Sequence, residues 1–135
     1  MTCPFCHLPK DRLIAQNDYA VAIADESPVN PGHALVIPRR HVESWFDTDE
    51  AERLGILHLI DELKSRLDTE HCPDAWNIGI NDGLAAGQTI MHLHIHLIPR
   101  YSEDVDDPRG GVRHVIPERG NYKRPGHVPK AKIGD

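Results

Sequence analysis

Thr89-Ile90-Met91-His92-Leu93-His94-Ile95-His96-Leu97-Ile98-Pro99-Arg100 is the stretch whose reading decides the fold. Apolar and imidazole side chains alternate along it, which is the period of a strand. His92, His94 and His96 then share one face, about 7 Å apart, while Leu93, Ile95 and Leu97 share the other and face the core. Three imidazoles in a row cannot be ordinary core residues, because each would need its own polar partner. Two chemistries suit them. His-x-His on a strand is a zinc geometry, and an imidazole with helpers is a nucleophile. Just upstream, Gly87-Gln88-Thr89 offers backbone N–H groups, an amide and a hydroxyl. Such groups receive an anion rather than a cation, so histidines beside them suggest phosphate chemistry.

Working outward, AWNIGI (75–80) reads as a strand and NDGLAAGQ (81–88) as a glycine-bearing loop. Leu54, Leu57, Ile60, Leu63 and Leu67 recur at spacings of three and four, which predicts an amphipathic helix from Thr48 to about Asp68. Asp47 or Thr48 is the expected cap, with Asp49, Glu50 and Glu52 in the acid-favouring first turn. ALVIP (34–38) reads as a buried strand, after a DESPVNPG loop (25–32) whose prolines and glycine forbid regular structure. Residues 12–16 and 19–24 form a hairpin around Asn17-Asp18. The expectation is an α+β domain over residues 1–101, with five mostly antiparallel strands and one long helix. Residues 102–135 are polar and rich in Pro and Gly, and read as a surface tail ordered only where it docks.

Composition narrows the function. The chain has 135 residues, 39% of them apolar, and a net charge of -6. That acidity leaves no basic footprint for general nucleic-acid binding. No apolar run approaches the ~20 residues of a membrane span, and the N-terminus has no apolar signal segment. A cytoplasmic protein is expected. Three cysteines and ten histidines argue for metal or thiol chemistry rather than a disulfide framework.

His92-Leu93-His94-Ile95-His96-Leu97-Ile98 resembles the His-φ-His-φ-His-φ-φ signature of the histidine triad superfamily. Gly32-His33-Ala34-Leu35-Val36-Ile37-Pro38-Arg39-Arg40-His41 resembles its G-H-x-L-V-I-P-[KR]-x-H block, and Asn81-Asp82-Gly83 with Gly87-Gln88-Thr89 its N-[DE]-G…G-Q-[ST] loop. The resemblance spans residues 3–101. It implies a five-stranded sheet with one long helix and a short N-terminal helix. It also implies a nucleotidyl hydrolase or transferase acting on a purine nucleotide, and a homodimer.

By position, the resemblance makes His94 the nucleophile that forms a nucleotidyl-histidine, His96 a phosphate contact that aids proton transfer, and His33 a histidine behind the triad. It places Asn81, Gly87, Gln88 and Thr89 around the phosphate, Asp25 on the ribose hydroxyls, and Phe5, Leu8 and Ile23 in an apolar base pocket. Transferase branches carry glutamine at the third triad position. His96 stands there, which favours hydrolysis of a nucleoside phosphoramidate or dinucleoside polyphosphate. A nucleotide-binding regulatory protein with little turnover is the alternative, and a zinc-sensing or metal-transport module a third class. No paired carboxylates for magnesium are evident, so no metal is expected at the reaction.

Cys3-Pro4-Phe5-Cys6-His7 admits several readings. Haem attachment lacks an export signal and an axial partner. A dithiol redox site follows a strand, and two residues leave no room for one. A pair of free surface thiols is the plainest reading. Half a zinc site is another, needing two more ligands. In bacterial members of the resembled family those are the histidine ending the P-[KR]-x-H run and the first triad histidine, here His41 and His92. This implies one structural Zn²⁺ per chain, held by Cys3, Cys6, His41 and His92. Cys72 reads as packing, and His71, His114 and His127 as solvated.

Overall fold

Asn17 turns the chain between the first two strands: its Oδ1 accepts from the Tyr19 and Ala20 amides at 2.9 Å, an Asx turn that side chains of this type form readily. The structure, a computed structural model, describes residues 2–123. Its strands are β1 (Leu13–Gln16), β2 (Ala20–Ala24), β3 (Ala34–Pro38), β4 (Ala75–Ile80) and β5 (Ile95–Arg100), with helix α1 (Glu50–His71) between β3 and β4. They form one sheet in the order β1-β2-β3-β5-β4, and every neighbouring pair is antiparallel. The expected α+β architecture is therefore present. The short N-terminal helix is a single 3₁₀ turn, Lys10–Arg12.

The sheet has two apolar faces. Ala20, Ala22, Ala34, Val36, Ile95 and Leu97 pack with Ile56, Leu59, Ile60, Leu63 and Leu67 of α1. On the opposite face Val21, Ile23, Leu35 and Ile37 are covered by Phe5, Leu8 and Leu13. The helix leans closely on the hairpin at Gly55, where a Cβ would stand 2.6 Å from the Tyr19 Cβ. Asn17 Nδ2 donates to the Gly55 carbonyl there at 2.8 Å.

Three sequence expectations are corrected. The expected strand from Thr89 begins only at Ile95, because the Leu93 amide donates outside the ladder, to the Val42 carbonyl at 2.7 Å. The helix starts later than expected and is capped by Asp49, not Asp47 or Thr48. Asp49 accepts from the Glu52 amide while the Glu52 carboxylate accepts from the Asp49 amide, a reciprocal capping box. Thr48 instead donates to the Trp45 carbonyl. The buried stripe runs through Ile56, Leu59, Ile60, Leu63 and Leu67, leaving Leu54 and Leu57 about half exposed, at 49% and 48%.

Contacts divide the chain into Met1–Arg100 and Tyr101–Asp135. The described part of the second unit is more organised than a tail. Asp107 accepts from the Arg109 amide and guanidinium and from Asn121 Nδ2. Arg113 donates to the carbonyls of Arg119 and Gly120. Gly110 sits at φ 99°, and a Cβ there would meet the Gly120 oxygen at 2.1 Å. His114 is exposed, as expected, and donates Nε2–H to the Arg109 carbonyl. His127 lies outside the described residues. Cys72 is exposed at the αL C-cap of α1 rather than packed.

Candidate active site and metal cluster

One rung of the sheet, Leu13–Ile23–Leu35–His96–Gly79, crosses all five strands. Cross-strand partners share a face, so His96 lies on the face away from α1, in line with the apolar patch under Phe5 and Leu8. Gly79 ends the rung, and no atom lies within 4 Å of where its Cβ would be. The same is true of Gly83 and Gly87. Three glycines thus leave open space beside His96 and along the 81–88 loop.

Hydrogen bonds settle the tautomers of the triad. The Val29 amide donates to His33 Nδ1 at 3.1 Å. An acceptor Nδ1 on a neutral ring leaves the proton on Nε2. That Nε2–H faces His96 Nδ1 at 2.9 Å, so His96 carries its own proton on Nε2. His94 is arranged oppositely: its Nδ1 lies 2.8 Å from the His92 carbonyl, which only accepts, so Nδ1 carries the proton and Nε2 a lone pair. The site therefore pairs a ring offering a lone pair with a ring offering an N–H. Their centroids are 5.4 Å apart. Burial holds the pKa of both His33 and His96 below the ordinary imidazole value; for His96 the neighbouring histidines add to this, while Asp25 opposes it at both.

Asp25 lies behind this pair. Its Oδ2 is 3.4 Å from His33 Nε2 and its Oδ1 accepts from the Ser27 amide. Asp25, His33 and His96 form a close group of metal-ligand types. The shared His33 proton sits where a metal would need a lone pair, so this group is a hydrogen-bond chain.

The second group, Cys3, Cys6, His41 and His92, is different. Its ligand atoms all lie within 4.8 Å of one another. His92, fully buried, donates Nε2–H to the Pro38 carbonyl at 2.8 Å. This leaves Nδ1 as a lone pair, 3.3 Å from Cys3 Sγ and 3.6 Å from Cys6 Sγ. His41 Nδ1 is 3.3 Å from Cys6 Sγ. Tetrahedral zinc with bonds of about 2.3 Å to sulfur and 2.0 Å to nitrogen separates S and N ligands by about 3.5 Å. The donor set and spacing fit that ion, and the Pro38 carbonyl orients His92 as partners of zinc-bound histidines do. Arg40, next to His41 in the sequence, makes two hydrogen bonds from its guanidinium to buried Glu52. That pairing holds the Glu52 carboxyl below its ordinary value.

Among the other expected residues, Phe5 stands edge-on to His94 with centroids 5.2 Å apart, and to His92 at 6.0 Å. Leu8 packs beside it, and Ile23 is only 1% exposed, a floor rather than a wall. Asn81, Gly87 and Thr89 are exposed, on the loop below the histidines. Gln88 is corrected as a direct phosphate ligand: it is 3% exposed, its Oε1 accepts from the Gly83 amide and its Nε2 donates to Glu43 and Ile90 carbonyls. It braces the loop.

Sequence reading passed over Asp82, whose Oδ2 accepts from Ser44 Oγ and the Trp45 amide at 3.0 Å and so ties the loop to the segment after His41. In N-D-G it looks only like a turn residue, and no local signal announces a partner 37 residues away. It passed over Gly79 too; a glycine within a strand pattern is the available cue.

Comparison with known proteins agrees with this geometry. The HIT domain family model matches residues 9–103, and the chain belongs to the HIT family. It is 33% identical over 104 residues to an uncharacterized HIT-like protein of Mycoplasma genitalium, covering 74% of each. It is 35% identical over 88 residues to the asymmetrical bis(5'-nucleosyl)-tetraphosphatase of Schizosaccharomyces pombe, covering 65% of this chain and 48% of that one. Among solved structures, a Zn-bound histidine triad family protein from Mycobacterium smegmatis superposes with a TM-score of 0.68 and 33% identity, over 76% of this chain and 78% of that one.

Proposed function

We propose that this protein is a nucleotidyl hydrolase that cleaves nucleoside phosphoramidates or dinucleoside polyphosphates to a nucleoside monophosphate. The observation that carries the reading is the opposed tautomers of His94 and His96. The His94 Nε2 lone pair attacks the α-phosphorus, and the bond to the departing nitrogen or oxygen breaks with its electron pair, a departing amine taking up a proton from solvent. The His96 Nε2–H donates to a non-bridging oxygen and stabilises its charge. Water then attacks the same phosphorus and gives up a proton to solvent, and His94 leaves with its lone pair restored. Splitting the displacement lets each half proceed in line with a positioned nucleophile. The exposed Thr89 hydroxyl supplies a further donor, Gly87 leaves the phosphate room to approach, and Phe5 and Leu8 face the purine base. Asp25 binds the ribose hydroxyls while bordering His33.

Cys3, Cys6, His41 and His92 hold one structural zinc; bound there, the ion fixes the N-terminal arm and the first triad histidine, outside the reaction. The protein acts as a cytoplasmic homodimer. In support, β4 is an edge strand with Ile78 52% exposed, and no described helix is long and apolar enough to cross a membrane. The deciding experiment is mass spectrometry of enzyme quenched during turnover of an adenosine phosphoramidate and a diadenosine polyphosphate. An adenylyl group on the peptide containing His94 is expected. Tight nucleotide binding without adduct or turnover would favour the regulatory protein instead.

A further inference from the structure

Phe5 sits between the two cysteines and also touches the triad. The Cys6 amide donates to the Cys3 carbonyl at 3.2 Å, so residues 3–6 make a tight turn with Phe5 near its apex. From there the ring stands 5.2 Å from His94 at 73° and covers Ile23 and Leu35. Residues 2–9 contribute no strand. The described tether points of this turn are therefore the apolar contacts of Phe5 and Leu8 and the sulfur contacts with His92 and His41. Cys6 is exposed and Cys3 is half-buried, so a small oxidant reaches the Cys6 sulfur from solvent.

We propose that Cys3 and Cys6 form a peroxide-oxidisable pair that controls the nucleotide pocket through Phe5. The role given to the pocket rests on the nucleotide reading above. The chemistry balances with hydrogen peroxide as oxidant. The Cys6 thiolate attacks one peroxide oxygen, the O–O bond breaks and hydroxide leaves, giving a sulfenic acid. The Cys3 thiolate attacks that sulfur, the S–O bond breaks and a second hydroxide leaves, giving the disulfide. Two thiolates lose two electrons and peroxide gains them. A disulfide places its sulfurs about 2.0 Å apart, whereas two thiolates on one tetrahedral zinc are about 3.8 Å apart. The pair cannot satisfy both arrangements, and disulfide sulfur no longer supplies the anionic ligands that zinc requires. Oxidation thus releases the ion, frees the turn from His92 and His41, and draws Phe5 off His94. Burial of His92 and its bond to Pro38 keep the segment from His92 into β5 in place, so the effect falls on the pocket wall and not on the sheet.

The test uses the zinc-loaded full chain carrying Cys72→Ser, which removes the remaining thiol. Peroxide is added, and four quantities are followed: zinc passing to a chromophoric chelator, the mass of the N-terminal peptide, the Phe5–His94 ring contact by NMR, and AMP affinity by calorimetry. Expected are one zinc released per chain, a peptide lighter by two hydrogens, loss of the ring contact, and AMP affinity weakened about tenfold, the order of one aromatic wall. Dithiothreitol with zinc should restore all four. Cys3→Ser with Cys6→Ser should make AMP affinity insensitive to peroxide; if that variant does not fold, reversal by reductant in the parent protein decides the matter. Disulfide formation with an unchanged ring contact and unchanged AMP affinity overturns the proposal, as does zinc retention with both thiols reduced in excess peroxide. Reduced protein that binds no AMP counts against the nucleotide reading, and the ring contact alone then decides this one.

Discussion

His33 Nε2 stands 2.9 Å from His96 Nδ1, and the amide of Val29, bound to the other nitrogen of His33, fixes which of them carries the proton. A loop residue thereby decides that His96 presents an N–H, and not a lone pair, to the open side of the sheet. His33→Ala should lower kcat, with less effect than loss of His94 itself, because His96 can then adopt either tautomer. His33→Asn, which keeps a donor, should recover part of the loss. Equal loss in both variants would show that the donor does not matter.

His94→Asn keeps size and polarity and should preserve the fold and AMP affinity. Turnover should fall by at least about 10³, as when a nucleophile is removed. Single-turnover kinetics with an adenosine phosphoramidate would check this, and a variant at parental rate would end the covalent mechanism.

Asp25→Ala should raise KM for adenosine nucleotides, since a carboxylate on ribose binds ground and transition states alike. Its contact with His33 adds a second effect, a smaller fall in kcat. A 2'-deoxynucleotide separates the two: the variant and the parent should differ less on it in KM, and as much in kcat. A KM difference undiminished by the missing hydroxyl would place Asp25 outside the ribose site.

Stability should fall on acidification. His33 is buried and His96 half-buried, and their folded pKa values are depressed. Above the unfolded value of about 6.5 both states are neutral and the stability is fully present. As pH falls below it toward the depressed folded values, the unfolded chain takes up protons that the folded one does not, and stability is lost. The melting temperature of His33→Asn should therefore drop less steeply between pH 6.5 and 5 than that of the parent.

Gly55→Ala probes the helix–hairpin contact. The added methyl would lie 2.6 Å from the Tyr19 Cβ, so backbone or side chain must shift, costing about 1–3 kcal/mol as overpacking does, despite alanine's better helix propensity. Urea unfolding with Tyr19→Gly as the second mutation, which removes that Cβ, should show the added cost of the methyl largely relieved.

Much of the fold was legible because its signals are local. Alternation from Ile95 onward, the apolar ALVIP run, and the turn at Asn17 each follow from neighbouring residues, and each strand assigned over 12–38 and 75–80 is present within a residue or so. The helix was legible as a helix, but its buried face was not: Leu54 and Leu57 fit the periodicity as well as Ile56 and Leu59 do. Which stripe turns inward depends on where the sheet lies.

The sequence by itself determined the histidine pattern, the cysteine pair and the family to which they belong, because these are matters of residue type and spacing along one chain. Only the tertiary structure decided where the protons sit. Val29, Pro38 and the His92 carbonyl choose between otherwise equivalent ring nitrogens, and Gln88 and Asp82 turn from apparent ligand and turn residue into braces. The reason is physical: a tautomer or a satisfied amide depends on a partner within about 3 Å, and Pro38, Glu43 and Ser44 are brought to His92, Gln88 and Asp82 from segments far away in the chain.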